Sequence, residues 1–283
     1  MTHLWVSEGS ARKPDGDVIS CDVAREAATG IIGRLRELGL SRDGAIVVER
    51  LDIILSAAAE RAERESPGLG SDALVWEELE QNAGEETHLS FAYLTFMVAA
   101  MLIASIGVLL DQPILIVGAM VVGPEFGPLV ALCVGLVARR PRQTWRALAT
   151  LAVGFAVGAA ATVVFTWALT GLGLLDESML TAERPLTSFI WQPDALSWIV
   201  GFLAGVAGVL ALTSAKSGAL VGVLISVTTV PAAANAAVAI AYWVPAEAVG
   251  SGIQLLINLA AITLAGVLTL LFQRARQNRL LRR

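Results

Sequence analysis

Apolar residues gather in six long stretches over the later two thirds of the chain, roughly 89–110, 113–137, 146–171, 196–212, 218–243 and 250–272. A helix needs about 20 apolar residues to cross the hydrocarbon of a bilayer, so each stretch predicts a transmembrane helix, the fourth being the shortest. The first 88 residues are patterned differently. "AREAATGIIGRLRELGL" sets Ala24, Ala27, Ala28, Ile31, Leu35 and Leu38 on one helical face, with Gly39 placed to end the helix. "DVISCDV" before it is short and β-branched, "GAIVVERLDIIL" after it contains another strand, and "HLWVSE" is a further candidate. These elements predict a small α/β sandwich over residues 1–65. "ESPGLGS", Glu65 to Ser71, is a linker by composition. In "SDALVWEELEQNAGEET", Ser71 can cap a helix whose apolar stripe is Leu74, Val75, Trp76 and Leu79. Two readings of that helix stay open: it lies at the membrane interface, or it packs on the soluble domain. Its acidic face argues against anionic lipid. The predicted order is therefore an α/β domain (1–65), a linker with an amphipathic helix (66–88), a six-helix transmembrane domain (89–272) and a basic tail (273–283).

Composition supports this division. The 283 residues are 55% hydrophobic, and the mean hydropathy is +0.68, high for a soluble domain. Residues 1–88 hold eighteen Asp/Glu against nine Lys/Arg, whereas residues 89–283 hold seven against eleven. A net charge of −5 gives no reason to expect a nucleic acid partner. Cys21 and Cys133 lie in different parts, with no metal-ligand spacing around either, and no Walker A sequence is present. No cofactor is expected. The start, "MTHLWVSEGSARKPDG", has no apolar run of signal-peptide length, so the later segments must drive insertion.

Charge also predicts sidedness. Arg139, Arg140, Arg142 and Arg146 follow the second segment, Lys216 the fourth, and Arg274, Arg276, Arg279, Arg282 and Arg283 the sixth. Six crossings put all of these on one side, leaving only Arg184 opposite. The positive-inside rule then places both termini in the cytoplasm of a multi-pass plasma-membrane protein. Trp167, Trp191, Trp198 and Trp243 fall near the outer boundary, as an aromatic belt would.

A weak internal repeat appears on sliding the chain by 104 residues. "ILIVGAMVV" (114–122) then lies on "GALVGVLIS" (218–226), Gly118 meets Gly222, and Pro128 meets Ala232, one residue past Pro231. Each half has three spans, and the middle one carries the proline. An odd number of spans per half makes the halves inverted, and paired proline-interrupted spans point to a site near the bilayer midplane. Proline removes a backbone donor, and in lipid the freed groups need partners in protein or in a water-filled cavity. "GPEFGP" and "TTVPAAAN" should therefore face the bundle interior.

Glu125 is the sharper signal. It sits halfway along its span, where a carboxylate costs about 2.5–3.5 kcal/mol on insertion scales and so faces a cavity or a partner. That suits a proton or cation site. The other reading is a structural acid, hydrogen-bonded or left in an aqueous vestibule. No Lys or Arg lies mid-span to pair with it; the polar candidates are Ser226, Thr228, Thr229 and Asn235 in the fifth span and Gln254 and Asn258 in the sixth. Gly154 with Gly158, Gly201 with Gly205, and Gly218 with Gly222 suit close helix contacts, within a subunit or between copies in a homo-oligomer.

"SIGVLLDQPILIVGAMVVGPEFGPLVALCVGLVARR", with "GALVGVLISVTTVPAAANAAVA" later, resembles a bacterial and archaeal membrane family, domain of unknown function 389. The resemblance covers most of the chain and implies the fold and the membrane location. It implies no substrate. The family usually has an apolar residue where Glu125 stands and a second proline where Ala232 stands, so a role for Glu125 is read from this sequence itself.

The function these features favour is a transporter or channel-like protein for a small solute or ion. Its candidate site is Gly123, Pro124, Glu125, Gly127 and Pro128 facing Thr228, Thr229, Pro231 and Asn235. The alternative is a membrane-anchored scaffold or sensor acting through its cytoplasmic domain, in which Glu125 tolerates replacement. Catalysis is not expected: His3 and His88 lie outside the spans, no HExxH occurs, and no second acid lies in a span to pair with Glu125.

Overall fold

The computed structural model describes residues 2–49, 56, 61, 76–213 and 228–280. The linker 65–71, the capping Ser71 with Leu74 and Val75, Lys216, residues 218–227 of the fifth segment, and Arg282 and Arg283 lie outside the described residues. The chain divides into two compact units, one of Met1–Leu79, Thr213–Ala215 and Gln273–Arg283, the other of Glu80–Leu212 and Lys216–Phe272.

The first unit contains β1 (Thr2–Arg12) and β2 (Asp15–Asp22), an antiparallel pair with Val6 opposite Ile19 and Ser7 opposite Val18. "HLWVSE" lies within β1, and most of "DVISCDV" within β2. Helix α1 (Arg25–Glu37) follows and ends at Gly39, whose φ of 84° favours glycine. A short helix, α2 (Leu40–Asp43), comes next. The strand expected over "GAIVVERLDIIL" is absent from its described part: Ala45–Glu49 form no strand. A strand exists by pairing, and the described sheet consists of β1 and β2 alone. Residues 50–55 lie outside the described residues. Near the end of this unit's first segment, Trp76 of α3 (Trp76–Glu85) donates to Gln277 at 3.0 Å, while the Arg274 guanidinium stands 5.4 Å from the Trp76 ring centroid.

The second unit is the membrane part. Four helices are long and apolar enough to span: α4 (Phe91–Leu109), α7 (Pro141–Gly171), α9 (Ala195–Thr213) and α11 (Pro245–Leu280). A fifth candidate is the bent pair α5 (Pro113–Val122) and α6 (Phe126–Val137). Between α7 and α9 lie α8 (Glu177–Thr181) and a 3-10 turn (Ser188–Ile190). Helix α10 (Thr229–Ala241), with 13 residues, reaches only about 20 Å at 1.5 Å per residue. The first part of the span to which it was assigned lies outside the described residues. Long apolar helices with a bent pair make this chain a multi-pass integral membrane protein in contact with lipid.

Three of the joints share one chemistry. Helix α4 turns into α5 through Asp111-Gln112-Pro113, α6 into α7 through Arg139-Arg140-Pro141, and α10 into α11 through Trp243-Val244-Pro245. The first residue of each is left-handed, with φ of 51°, 55° and 59°. The next donates its N–H back to the helix just ended: Gln112 to Gly107 O, Arg140 to Gly135 O and Val244 to Ala239 O, each at 2.8 Å. That is the Schellman closure, and the proline that follows starts the next helix without needing the donor it lacks. At the other end of α4, Ser90 Oγ accepts from Tyr93 N at 3.0 Å and caps it.

Close packing follows the small residues. A Cβ on Gly154 of α7 would strike the Tyr93 hydroxyl of α4 at 2.6 Å, and one on Gly205 of α9 would strike the Ile262 carbonyl oxygen of α11 at 2.7 Å. Helix α10 is the most enclosed: every residue from Thr229 to Asn235 is buried. A run of alanines lets its neighbours close in, as membrane helix contacts require.

Candidate functional site

The site begins where α5 stops. Pro124 has no N–H and forces the residue before it out of the helical region, and Gly123 accordingly stands extended at φ −62°, ψ 129°. The Gly123 N–H still bonds to Ala119 O at 2.9 Å, the last bond of α5. Helix α6 then starts in a new direction, 53° away. Pro128 is its third residue, and Pro231 is the third residue of α10. In a first turn the backbone donors have no intrahelical partner, so both prolines begin helices rather than break them.

Glu125 stands in the break and is 4% exposed. Its side chain does not cap α6. It reaches across to α10, where Thr229 Oγ1 donates to Glu125 Oε1 at 2.8 Å. Glu125 Oε2 has no hydrogen-bond partner among the described residues. A Cβ on Gly123 would fall against that same Oε2 and lie 2.9 Å from a Val230 methyl, so the close approach of the two segments depends on this glycine. Gly127 plays a different part: a Cβ there would meet the carboxylate of Glu86.

The other residues marked from sequence divide. Thr228, at the start of α10, accepts from Asn258 Nδ2 of α11 at 2.8 Å. Asn235 lies six residues beyond Thr229, about 9 Å along the helix. It belongs to a separate cluster, in which Arg184 Nη1 donates to Asn235 Oδ1 at 3.2 Å and Arg184 Nη2 to Glu247 Oε2 at 2.6 Å. A guanidinium cannot accept, so the amide oxygen must face it, which turns Asn235 Nδ2 towards Ser251 Oγ (2.7 Å) and Glu247 Oε2 (3.3 Å). Arg184 is thus not a surface charge of a solvated loop; it is buried and ion-paired.

Along α11, Glu247, Ser251, Gln254 and Asn258 follow at spacings of four, three and four, which is one helical face, and all four are buried. Over those eleven residue steps the face extends about 16 Å. Gln254 Oε1, like Glu125 Oε2, lacks a partner among the described residues. Helices α10 and α11 therefore hold a line of polar groups from Arg184 and Glu247, past Asn235 and Ser251, to Asn258 with Thr228, next to which Thr229 meets Glu125. Sequence reading named Gln254 and Asn258 but missed Arg184, Glu247 and Ser251. The signal available was the polar stripe in an otherwise apolar segment, extended one turn upstream of where the span was drawn.

With this geometry in view, the comparisons place the chain. Residues 120–264 match the family described as domain of unknown function (DUF389), and the chain belongs to it. The match covers the break at Gly123–Glu125 and the polar line. Over 240 residues, 84% of this chain and 70% of the relative, it is 24% identical to uncharacterized protein MJ0678 of Methanocaldococcus jannaschii. No solved structure matches the chain.

Proposed function

We propose that this member of the family is a transporter or channel-like protein that passes a small solute or ion between the two broken segments. The observation that carries the reading is Glu125: a buried carboxylate with one oxygen on Thr229 and the other without a donor among the described residues. Burying an ionisable group is costly unless something offsets it, and an oxygen held free at a helix break is available to a proton or a cation. The buried polar face of α11 offers such a species further acceptors.

An arrangement in two inverted halves of three spans is part of the same proposal, and the helix spacing supports it. The helix starts keep the 104-residue register: α4 begins at Phe91 and α9 at Ala195, and α7 begins at Pro141 and α11 at Pro245. Glu125 and Thr229, which bond to each other, are themselves 104 residues apart. Equivalent positions of two repeats meet where a pseudo-two-fold axis passes, and that is where alternating-access sites are built. Both termini are assigned to the cytoplasm, because the basic residues of the membrane part then lie inside.

Reconstituted protein tests this. Glu125→Gln keeps the shape and removes the charge. It should insert and fold like the wild type while changing the flux of sodium, potassium or protons into proteoliposomes, or the pH dependence of that flux. An active wild type with an indistinguishable variant would reduce Glu125 to a structural residue. A wild type that moves none of a panel of ions and small solutes would favour a scaffold or sensor acting through the first unit.

A further inference from the structure

The Arg184 cluster is not used by the site at the break, and its construction is unusual. Three acceptors or relays come from regular helices: Glu247 in the first turn of α11, Ser251 one turn later, and Asn235 on the facing side of α10. The cation comes from elsewhere. Arg184 stands on the irregular stretch between α8 and the 3-10 turn, in the connection that joins α7 to α9. That connection is tucked into the bundle: Leu180 packs with Leu109, Val238 and Ala239, and Ile190 with Val108, Ile116 and Ala232. It is tied down by Asp111, which accepts from Thr187 Oγ1 at 2.8 Å.

We propose that Glu247, Asn235 and Ser251 form a second cation site, suited to small cations that carry N–H donors, which the chain's own Arg184 fills in this conformation. The proposal deepens the transport reading by naming a class of permeant, guanidinium-like or ammonium-like, that takes Arg184's place when the connection lifts. Two observations carry it. The cradle is preorganised: Ser251 and Glu247 hold the Asn235 amide so that its oxygen faces the occupant, and the carboxylate oxygen and this amide oxygen each accept one N–H from the occupant. The occupant is tethered and incompletely met: the buried Arg184 Nε has no partner among the described residues. A planar array of N–H donors on a single charge therefore fits the cradle, and a free ion can present it without the tether.

Chemical rescue tests the site independently of flux. Arg184→Ala, purified in detergent, should unfold at a lower temperature than wild type. Millimolar guanidinium should restore part of that loss saturably, ammonium less, and potassium at the same concentration not at all. The double variant Arg184→Ala/Glu247→Gln should not respond. Arg184→Gln, which keeps side-chain length, is run in parallel should the alanine variant fail to fold. No saturable rise in either variant, an equal rise with potassium, or the same rise in the double variant would overturn the proposal. A protein that moves no solute can pass this test, and a transporter whose outer cluster is only structural fails it, so the two readings fall separately.

Discussion

Glu125 and Glu247 are both buried carboxylates, 4% and 7% exposed, on the same polar line, and the protein meets them in opposite ways. Glu247 receives a guanidinium and a primary amide on one oxygen. It also sits in the first turn of α11, where the helix dipole favours a negative charge. Glu125 receives one threonine hydroxyl on Oε1 and nothing among the described residues on Oε2. An ion pair with added hydrogen bonds offsets desolvation and commits a charge to structure; a carboxylate left half met is available for exchange. The contrast sets a held charge at the Arg184 cluster against a half-met one at the break.

The largest expected effect comes from breaking the held pair. Arg184→Met leaves Glu247 and the Asn235 oxygen buried without their cation, and removing one partner of a buried pair costs about 3–5 kcal/mol. Arg184→Met/Glu247→Met should recover most of that loss, because a pair replaced by apolar groups of similar volume is close to neutral. Unfolding titrations in mixed micelles measure both. If each single change costs less than about 1 kcal/mol, the value of an exposed pair, then Glu247 is no better held than Glu125 and the contrast disappears.

Much of this arrangement was legible in the sequence, for physical reasons that differ by element. Apolar length announces a span on its own, which is why α4, α7, α9 and α11 fall within or around the stretches read from hydropathy. Proline beside glycine announces a break locally, and Gly123-Pro124 stops α5 by steric rules that involve no distant residue. Glu125 stood out because its neighbours are apolar. Arg184 did not, because its neighbours, Glu183 and Thr187 among them, make the segment look like a solvated loop; its burial depends on Glu247, 63 residues away. Asn235 was grouped with Glu125 because both lie near a proline, whereas helical rise separates them. The bend at Glu125 was expected, but that Pro128 and Pro231 each fall in the first turn of a helix depends on where α6 and α10 begin. In the first unit, "GAIVVERLDIIL" has strand composition, yet composition supplies no pairing partner, and Ala45–Glu49 have none in the sheet of β1 and β2.

Effects of middle size sharpen the contrast at the break itself. Thr229→Val keeps the shape and removes the hydroxyl donor from Glu125. An acceptor left unmet in a buried place costs about 1–3 kcal/mol, so the variant should be destabilised by that amount. The same change combined with Glu125→Gln should cost less than the two added together, because the interaction lost is shared. Strict additivity would mean that the 2.8 Å bond contributes nothing and that Glu125 is positioned by other groups. Gly123→Ala should cost about 1–3 kcal/mol through overpacking against Val230 and Glu125. Gly127→Ala should cost less, because the group it meets is the end of the exposed side chain of Glu86, which can swing aside.

The smallest effect separates these buried carboxylates from ordinary capping ones. Asp176 caps α8 by accepting from Ser178 N at 2.8 Å, and Asp194 accepts from both Ser197 N and Ser197 Oγ at 2.7 Å near the start of α9. The Ser178 backbone N–H holds the Asp176 carboxyl below its usual range, and the Ser197 hydroxyl, followed by its N–H, does the same for Asp194. A carboxylate whose folded pKa is depressed contributes stability that is present above the unfolded value, about 3.9 for Asp, and is lost as pH falls through the folded one. Between pH 7 and about 5 these two caps should therefore leave the unfolding midpoint unchanged, and their loss should appear only below about pH 4. Asp176→Asn/Asp194→Asn keeps an acceptor at each cap and removes the titrating charge, so it should flatten only that acidic limb. A pH dependence that persists above pH 5 in this variant belongs to other groups. Adding Glu125→Gln to this variant tests whether the acid at the break is one of them: an unchanged pH dependence would leave Glu125 without a part in it.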